Sequence, residues 1–328
     1  MPAQILDASG LGREAALEAL CAELERGGVV ALPTETVYGL AGDALNPRAV
    51  ARIFEVKERP FFDPLICHVP EPGWLEQIAS IPPEVRPLVG RLVADFWPGP
   101  LTLVLPKRAC IPDLVSAGLP SVAVRWSAHP LFQAVVSAFG RPLAAPSANR
   151  FGRISPTSAP HVLAELGDRI SLILDGGPTL HGVESTILAP CEKGIRIVRP
   201  GPITADELAP YAPLVEPSHT SGKAAVVEAP GQLKSHYAPS TPLFLHAAGR
   251  TPPPSRSAGI LAWQKAAPGF AAVEILSPSG DLREAAARLF AALRILDGAG
   301  LECIHAELVP PTGLGVAIND RLERAAAK

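Results

Sequence analysis

Apolar residues recur along the chain with two periods, which predict a mixture of helices and short buried strands. Helical spacing runs through residues 13–26 and 47–57, and Asn46 followed by Pro47 is typical of the start of a helix. Further helices are predicted at residues 83–97, 129–139 and 158–166. Short apolar runs predict strands at residues 29–33, 65–69, 101–106, 121–126, 142–146, 171–177, 185–190 and 195–201. Because strands and helices do not alternate regularly, we expect an α/β or α+β core with a partly mixed sheet.

The periodic pattern weakens after residue 204 and returns near residue 258. Between residues 202 and 254 the chain carries ten prolines and few periodic runs, which predicts a long irregular connection. Beyond it, strands are predicted at residues 258–263, 273–276 and 303–309, and helices at residues 281–298 and 315–327. We therefore predict a large domain at residues 1–205, a proline-rich linker at 206–242 and a small Rossmann-like α/β domain at 243–328.

Composition narrows the class of protein. The chain has 328 residues, 48% hydrophobic and 19% charged, which is enough to bury a large core and excludes disorder throughout. The 37 prolines are a clear excess, but the three-residue glycine period of collagen is absent. A net charge of −3 excludes a globally basic nucleic-acid coat, although a local basic groove stays possible.

Five cysteines are scattered along the chain without a C-x-x-C pair, each in apolar surroundings. They predict reduced thiols in the core of a cytosolic protein. The N-terminus shows no secretory signal, and no apolar run approaches the ~18 residues that a membrane helix needs. We therefore expect a soluble cytoplasmic protein that does not bind a membrane.

Polar side chains concentrate where one predicted strand ends. Residues 33–40 (PTETVYGL) follow a buried strand and bring hydroxyls, a carboxylate and a phenol together within a few positions. Such a cluster at the carboxyl end of a strand can form the rim of a ligand site. A polar turn closed by Gly39 explains the segment equally well.

Basic residues mark further candidate segments. Lys57 and Arg59 leave the end of a helix two positions apart, where they could bind one polyanion or complement the helix dipole. Residues 145–157 combine a strand exit, two arginines and a helix start, which suits phosphate. Arg125 and Arg199 lie in apolar strands and should face a partner or an anion.

Several familiar signatures are missing from the sequence. It contains no Walker-type phosphate loop, no three-glycine dinucleotide fingerprint and no G-x-S-x-G elbow. The eight histidines show no metal-ligand spacing, so no metal site is predicted in the chain itself. Any nucleotide must therefore be held by other means.

Taken in chain order, these segments resemble the YrdC-like family. The matching stretches are ALPTETVYGLAGDA, KERPFFDPLICHV, PGPLTLVLP, VAVRW, APSANRFGRISPT, ESTIL and VRPGPIT. PGQLKSHYAP and GLGVAINDRLERAA extend the resemblance to the long two-domain members, the threonylcarbamoyl-AMP synthases. The resemblance implies an α/β fold in which a large twisted mixed sheet and helices surround a positively charged cavity.

The resemblance also implies a reaction. L-Threonine, bicarbonate and ATP would condense to threonylcarbamoyl-AMP and pyrophosphate, and other proteins would transfer the threonylcarbamoyl group to tRNA. The implied threonine-binding residues are Thr36, His68, Arg125, Ala145 and Ser185. The implied ATP-binding residues are Arg59, Asp63, Ser121, Ser147, Ser155, Arg199 and Tyr237. At the reacting centre the resemblance places the K-x-R and S-x-N motifs, which are Lys57, Arg59, Ser147 and Asn149.

The chemistry of these side chains fits the implied roles. Arg125 can bind a carboxylate with two hydrogen bonds, while Arg59 and Arg199 can neutralise a triphosphate. No side chain is an obvious general base, and Mg²⁺ is expected to arrive with ATP because no carboxylate cluster is evident. Asp63 stands where the family usually has asparagine, and it would repel phosphate unless it meets a hydroxyl or Mg²⁺. Trp126 replaces a smaller residue and could reshape the cavity wall.

Two alternatives stay open. The cavity could belong to a non-catalytic RNA-binding protein, or to a carbamoyltransferase that acts on another acceptor. The low aromatic content of 5% disfavours an RNA platform, although a weak contact with tRNA is compatible with the synthase as well. In the synthase, Tyr237 and the linker around it are predicted to form a lid that shields ATP and a labile product from water.

Overall fold

The computed structural model describes residues 2–7, 12–216, 228–247, 249–250 and 252–327. Residues 217–227 of the predicted linker lie outside the described residues. Two β-sheets organise the fold: a ten-stranded sheet formed by residues 4–199 and a four-stranded sheet formed by residues 243–307.

The larger sheet is mixed. Its strands are β1 (Gln4–Asp7), β2 (Val30–Leu32), β3 (Gly39–Asp43), β4 (Ile66–His68), β5 (Leu101–Pro106), β6 (Ser121–Arg125), β7 (Leu143–Ala144), β8 (Leu172–Asp175), β9 (Thr186–Cys191) and β10 (Gly194–Arg199). They follow the order β1-β8-β2-β3-β7-β4-β6-β5-β9-β10. β4 runs parallel to β6, and β5 runs parallel to β9 but antiparallel to β6. The predicted mixed sheet is confirmed.

Helices cover both faces of this sheet. They are α1 (Gly12–Glu25), α2 (Pro47–Lys57), α3 (Leu75–Ile78), α4 (Arg86–Phe96), α5 (Asp113–Ser116), α6 (Pro130–Phe139), α7 (Ala159–Leu166) and α8 (Ala205–Leu208). The apolar stripes of α2 and α4 join one core cluster, whereas α1 and α6 join another that includes β2. The side chain of Asn46 accepts a hydrogen bond from Arg48 N at 3.0 Å, which begins α2 where the sequence predicts.

The strand register lines up three of the basic and polar residues that the sequence singles out. His68 lies opposite Arg125, and Arg125 lies opposite Thr102 on its other side. Thr102 in turn lies opposite Ile187, which lies opposite Arg199. A bulge between Ile197 and Arg199 shifts the register of β10, and this shift brings Arg199 into the same row. One row across five strands therefore carries His68, Arg125 and Arg199.

The smaller sheet is parallel throughout. Its strands are β11 (Leu243–His246), β12 (Ala258–Ala262), β13 (Ala272–Ile275) and β14 (Cys303–Glu307), in the order β11-β14-β12-β13. Two helices, α9 (Leu282–Asp297) and α10 (Gly315–Ala326), pack on it through one core cluster. The side chain of Asp281 caps α9 by accepting a hydrogen bond from Arg283 N at 2.7 Å. This arrangement agrees with the predicted Rossmann-like unit.

The two sheets share an apolar interface. Val37, Ile154 and Val183 from the larger unit belong to the same core cluster as α9 and α10, and so does Tyr237 of the linker. The domain boundaries at residues 205 and 242 stay predictions. None of the helices in the described ranges has the length and apolar character needed to cross a bilayer.

Some expectations about the chain are wrong. Residues 202–254 are not irregular throughout, because they contain α8 and β11. β1 and β3 are strands that the sequence pattern does not predict, and β3 (GLAGD) is formed largely by glycine and alanine. The expectation that every cysteine lies in the core holds for Cys67, which is buried, but not for Cys110, which is exposed.

Candidate functional site

A cavity lies beside the row of His68, Arg125 and Arg199. Strand ends of the larger sheet and the linker line it together: Thr34, Thr36, Val37, Gly39, Arg59, Ile66, His68, Arg125, Ala145, Pro146, Ser147, Glu184, Ser185, Arg199, Pro230, Gly231, His236 and Tyr237. We call the part around Thr36, His68 and Arg125 the Arg125 half, and the part around Arg59, Arg199 and Tyr237 the Arg199 half.

Most of the residues that the sequence singles out meet in this cavity. The five predicted threonine-binding residues all line it: Thr36, His68, Arg125, Ala145 and Ser185. Four of the predicted ATP-binding residues line it as well: Arg59, Ser147, Arg199 and Tyr237. Lys57, Asp63, Asn149 and Ser155 are buried directly behind the lining residues, and Ser121 lies at the start of β6, four positions before Arg125. The predicted roles of these residues stay predictions.

Arg125 dominates its half of the cavity. Its Nε donates to Gly99 O at 3.2 Å, its Nη1 donates to Thr36 Oγ1 at 3.0 Å, and its Nη2 lies 2.6 Å from Glu35 Oε1. These contacts fix the plane of the guanidinium and still leave a second N–H on each terminal nitrogen. A guanidinium with two such donors can bind a carboxylate.

Glu35 lies in the polar segment 33–40, but the sequence alone gives this residue no role. Its other oxygen, Oε2, accepts from Ser127 Oγ at 2.5 Å, and Ala128 N donates to Oε1 at 3.1 Å. Burial alone would raise the pKa of Glu35, but Arg125 and these hydrogen bonds lower it to about 2. The carboxylate therefore stays ionised and holds Arg125 in place.

His68 adds a neutral ring to the same half. Its ring packs 4.8 Å from Phe132, and no described residue bonds to its Nδ1. Burial and the neighbouring Arg125 lower the pKa of His68 to about 3. The imidazole is therefore uncharged near neutral pH, and it can hydrogen-bond to a bound polar molecule.

Lys57 joins the K-x-R and S-x-N segments. Its Nζ donates to the carbonyl oxygens of Ser147 and Asn149, both at 2.5 Å. Asn149 Nδ2 donates in turn to Arg150 O and Arg153 O, each at 2.8 Å. Burial and nearby Arg59 hold the pKa of Lys57 well below its usual value. Through its bonds to the two carbonyls, Lys57 supports the loop that carries Ser147.

Arg199 projects into the other half from the bulged end of β10. It donates to Ser185 O from Nη2 at 2.9 Å and to Pro230 O from Nη1 at 3.1 Å. Nη2 also lies 3.1 Å from Ser185 Oγ, which bonds to Thr102 Oγ1 at 2.8 Å. Arg199 therefore connects the sheet to the linker above the cavity.

A buried ion pair closes this half from behind. Glu184 accepts from Ser155 Oγ at 2.6 Å and from Arg321 Nε of α10 at 2.8 Å. Arg321 is fully buried and also donates to Pro200 O at 3.0 Å. Burial alone would raise the pKa of Glu184, but Arg321, Arg199 and Ser155 hold it below its ordinary value.

The linker enters the cavity through Tyr237. Its backbone is left-handed (φ 62°), its ring lies 5.3 Å from the Arg321 guanidinium, and its hydroxyl has no hydrogen-bond partner among the described residues. A Cβ on Gly231 would come within 2.5 Å of that hydroxyl, so only glycine fits there. Burial raises the pKa of Tyr237 to about 12. A strained backbone and an unpaired hydroxyl are typical of a residue held in place for a ligand.

Arginines of α9 and α10 hold the segments around Tyr237. Arg324 Nη1 donates to Gln232 O at 3.0 Å and to Leu233 O at 2.7 Å. Arg294 pairs with Glu165 at 3.1 Å and also donates to the carbonyl of Ile154, next to Ser155. With Arg321, three arginines of the second unit therefore reach the Arg199 half.

Sequence reasoning missed the roles of Glu184 and Arg321. Arg321 shares the buried stripe of α10 with Ala317, Ile318, Leu322 and Ala325. An arginine at an apolar position of an amphipathic helix is the signal that could have revealed it. Trp126, by contrast, packs against the main core cluster and is not among the cavity-lining residues.

Among the described residues there is no resident metal site. No group of three histidine, cysteine or acidic side chains in the described ranges is placed to hold a metal ion. Glu35 and Glu184 already accept hydrogen bonds, and Asp63 is paired with Arg59. The donor set of the cavity therefore suits anions better than a bare cation.

Comparisons with known proteins agree with this geometry. The family model Sua5_yciO_yrdC, described as telomere recombination, matches residues 22–201, and the model of the threonylcarbamoyl-AMP synthase C-terminal domain matches residues 203–327. Threonylcarbamoyl-AMP synthase of Bacillus subtilis is 40% identical over 314 residues, 91% of this chain and 89% of that protein. The enzyme of the same name from Pyrococcus abyssi is 38% identical, over 92% of this chain and 91% of that protein.

Solved structures show the same likeness. The crystal structure of P. abyssi Sua5 complexed with L-threonine superimposes with a TM-score of 0.88 at 35% identity, covering 98% of this chain and 97% of that one. Escherichia coli YciO, at 18% identity and a TM-score of 0.51, covers 61% of this chain and shares the fold alone. The resemblance to the YrdC-like family is thereby confirmed, and the chain belongs to the two-domain threonylcarbamoyl-AMP synthase family.

Proposed function

We infer that the protein is an L-threonylcarbamoyladenylate synthase, a nucleotidyltransferase that condenses L-threonine, bicarbonate and ATP. One observation carries the inference: a single cavity is lined by Arg125 in one half and by Arg59 and Arg199 in the other. The relatives that match almost the full chain carry the same name, and one was crystallised with L-threonine.

Threonine binds in the Arg125 half. The two remaining terminal N–H groups of Arg125 take the carboxylate, with Thr36 and Ser185 as hydroxyl partners and Ala145 as a small wall. His68, which is neutral, presents Nδ1 to a polar group of the amino acid. A small polar substrate therefore fits this half.

ATP, which brings its own Mg²⁺, binds in the Arg199 half. Arg59 and Arg199 face the phosphates of ATP, and Tyr237 covers these phosphates. Ser147 lies between the two halves of the cavity. Ser121, Ser155 and Asn149 contribute from the edge and from behind the lining residues, and Asp63 is paired with Arg59. Lys57 holds the Ser147 loop.

The reaction proceeds in two balanced steps. The threonine amine attacks the carbon of bicarbonate, and a carbamate forms with loss of water. The carbamate oxygen then attacks the α-phosphorus of ATP, and pyrophosphate leaves. The protein contributes mainly proximity and stabilisation of the charge that develops on pyrophosphate. Other proteins would then use the product to modify tRNA. The cytoplasmic location of the protein and a weak contact with tRNA stay predictions.

Pyrophosphate release tests this function. The protein is incubated with MgATP and bicarbonate, and each amino acid is added in turn. We expect release with threonine and much less with serine, valine or no amino acid. Release that does not depend on threonine would favour a carbamoyltransferase for another acceptor, and no release together with tight RNA binding would favour an RNA-binding protein.

A further inference from the structure

Asp63 places a carboxylate directly behind Arg59, one of the cavity-lining residues. Its side chain is 0% exposed, and Oδ2 lies 2.9 Å from Nη2 of Arg59. Neither carboxylate oxygen accepts a hydrogen bond from a described residue. Buried carboxylates ordinarily accept several hydrogen bonds, so this one calls for an explanation.

The charges that act on Asp63 are all positive. Arg59, Lys57 and Arg199 are buried around it and oppose the effect of burial, which raises the pKa of the carboxyl. Arg59 also donates Nε to the backbone carbonyl of Asp63 at 3.1 Å and Nη2 to Pro64 O at 2.8 Å. The loop from Arg59 to Pro64 therefore folds back on its own guanidinium and brings an anion with it.

We propose that Asp63 is a built-in counter-anion, which competes with phosphate groups for Arg59 and lowers the affinity of the cavity for ATP and pyrophosphate. The proposal rests on the proposed function, because it takes Arg59 to bind the triphosphate. A carboxylate in contact with the guanidinium repels an incoming phosphate. When pyrophosphate leaves, the carboxylate is already present to neutralise Arg59. Asp63 thus promotes product release instead of acting as an ATP ligand.

Asp63→Asn keeps the shape of the side chain and removes its charge, so it tests the proposal directly. Isothermal titration calorimetry of the full chain measures Kd for MgATP and for pyrophosphate in the absence of threonine. We expect both values to fall about tenfold, because a like charge at this range is worth one pKa unit or more. Inhibition of turnover by pyrophosphate should strengthen by a similar factor.

Two further variants make the result decisive. Asp95→Asn removes an exposed carboxylate that contacts Tyr211, away from the cavity, and should change neither Kd. Asp63→Ser is a second neutral variant that should also tighten both ligands, even if the asparagine variant fails to fold. Thermal unfolding of each protein checks its fold.

The outcomes separate this proposal from the proposed function. If the unsubstituted protein binds neither ATP nor pyrophosphate, the proposed function fails and this inference fails with it. If it binds both, but the folded neutral variants bind them no more tightly, only the counter-anion is overturned. Weaker binding of ATP alone in the neutral variants would make Asp63 a direct ATP ligand and would also overturn it.

Discussion

The two halves of the cavity are supported in different ways. In the Arg125 half, Arg125 is fixed by Thr36, Glu35 and Gly99, all from the larger unit. In the Arg199 half, Arg321 and Arg324 of α10 hold Glu184 and the linker, and Arg294 of α9 holds the segment next to Ser155. One half is built by a single sheet and its loops, and the other is completed across the domain interface. If ATP and threonine occupy the two halves as proposed, the second domain should affect ATP binding more than threonine binding.

The largest effect is expected from a substitution that disrupts only the Arg125 half of the cavity. Arg125→Met removes the carboxylate donors and leaves Glu35 buried without its ion-pair partner, which costs about 3–5 kcal/mol. We expect kcat/KM for threonine to fall at least a hundredfold, while calorimetry still detects ATP binding. Arg86→Met, on an exposed ion pair with Glu76, is the control and should leave both substrates unaffected. Equal loss of threonine and ATP binding in Arg125→Met would refute independent support of the halves.

Arg321→Met, in the second domain, should have the opposite effect: it should weaken ATP binding and leave threonine binding almost unchanged. It leaves Glu184 buried without Arg321 and removes the cation beside the Tyr237 ring. We expect Kd for ATP to rise by about tenfold or more, with Kd for threonine within about twofold, because the lost contacts lie in one half. Arg288→Met, on an exposed pair with Glu274, is the matched control on the same domain.

A double variant sharpens the same test. Glu184→Gln combined with Arg321→Met removes both charges of the buried ion pair, so part of the lost ATP affinity should return. Additive losses from the two changes would instead mean that the ion pair is not what links α10 to the cavity.

Tyr237 separates the contribution of its ring from that of its hydroxyl. Tyr237→Ala removes the ring that contacts Arg321, and we expect ATP affinity to fall about tenfold. Tyr237→Phe keeps the ring and should cost about threefold, the size of one hydrogen bond. Steady-state KM for ATP measures both. If Tyr237→Ala binds and turns over ATP normally, the linker is not a lid.

The smallest expected effect is a pH dependence of stability, to which buried histidines in both halves contribute. His68 and His236 are buried with pKa values of about 3, well below the ordinary 6.5. The unfolded chain therefore binds protons that the folded protein does not, and stability falls as pH drops from 6.5 towards 3. Each histidine should cost about 1.5 kcal/mol between pH 6.5 and 5. Chemical denaturation at several pH values measures this slope, and His68→Gln should flatten it, whereas an unchanged slope would contradict burial as its cause.

Sequence patterns predict the elements that have clear local signals. α2 and β5 occupy the predicted residues, because a capping Asn46 followed by Pro47 and a continuous apolar run fix their ends. β3 escapes prediction because glycine and alanine give no apolar strand pattern. Its glycines are closely packed: a Cβ on Gly39 would lie 3.3 Å from Ala145, and one on Gly42 would lie 3.3 Å from Ile53. This close packing exists only in the folded sheet.

In the candidate site, too, some features have local sequence signals and others depend on the folded structure. The resemblance names the residues that line the cavity, because they lie in short motifs at strand ends. It does not reveal the pairing of Glu35 with Arg125 or of Glu184 with Arg321, since those partners are 90 or more positions apart. Such pairs depend on strand register and on the domain interface, which local patterns do not encode.

The most direct test of the account is the identity of the product. The protein is incubated with MgATP, L-threonine and ¹³C-bicarbonate, and the nucleotides are analysed by mass spectrometry together with pyrophosphate. We predict an AMP adduct that contains threonine and one labelled carbon, formed in equal amount with pyrophosphate and absent when threonine is omitted. Pyrophosphate released with no such adduct, or an adduct without the labelled carbon, would contradict the assignment.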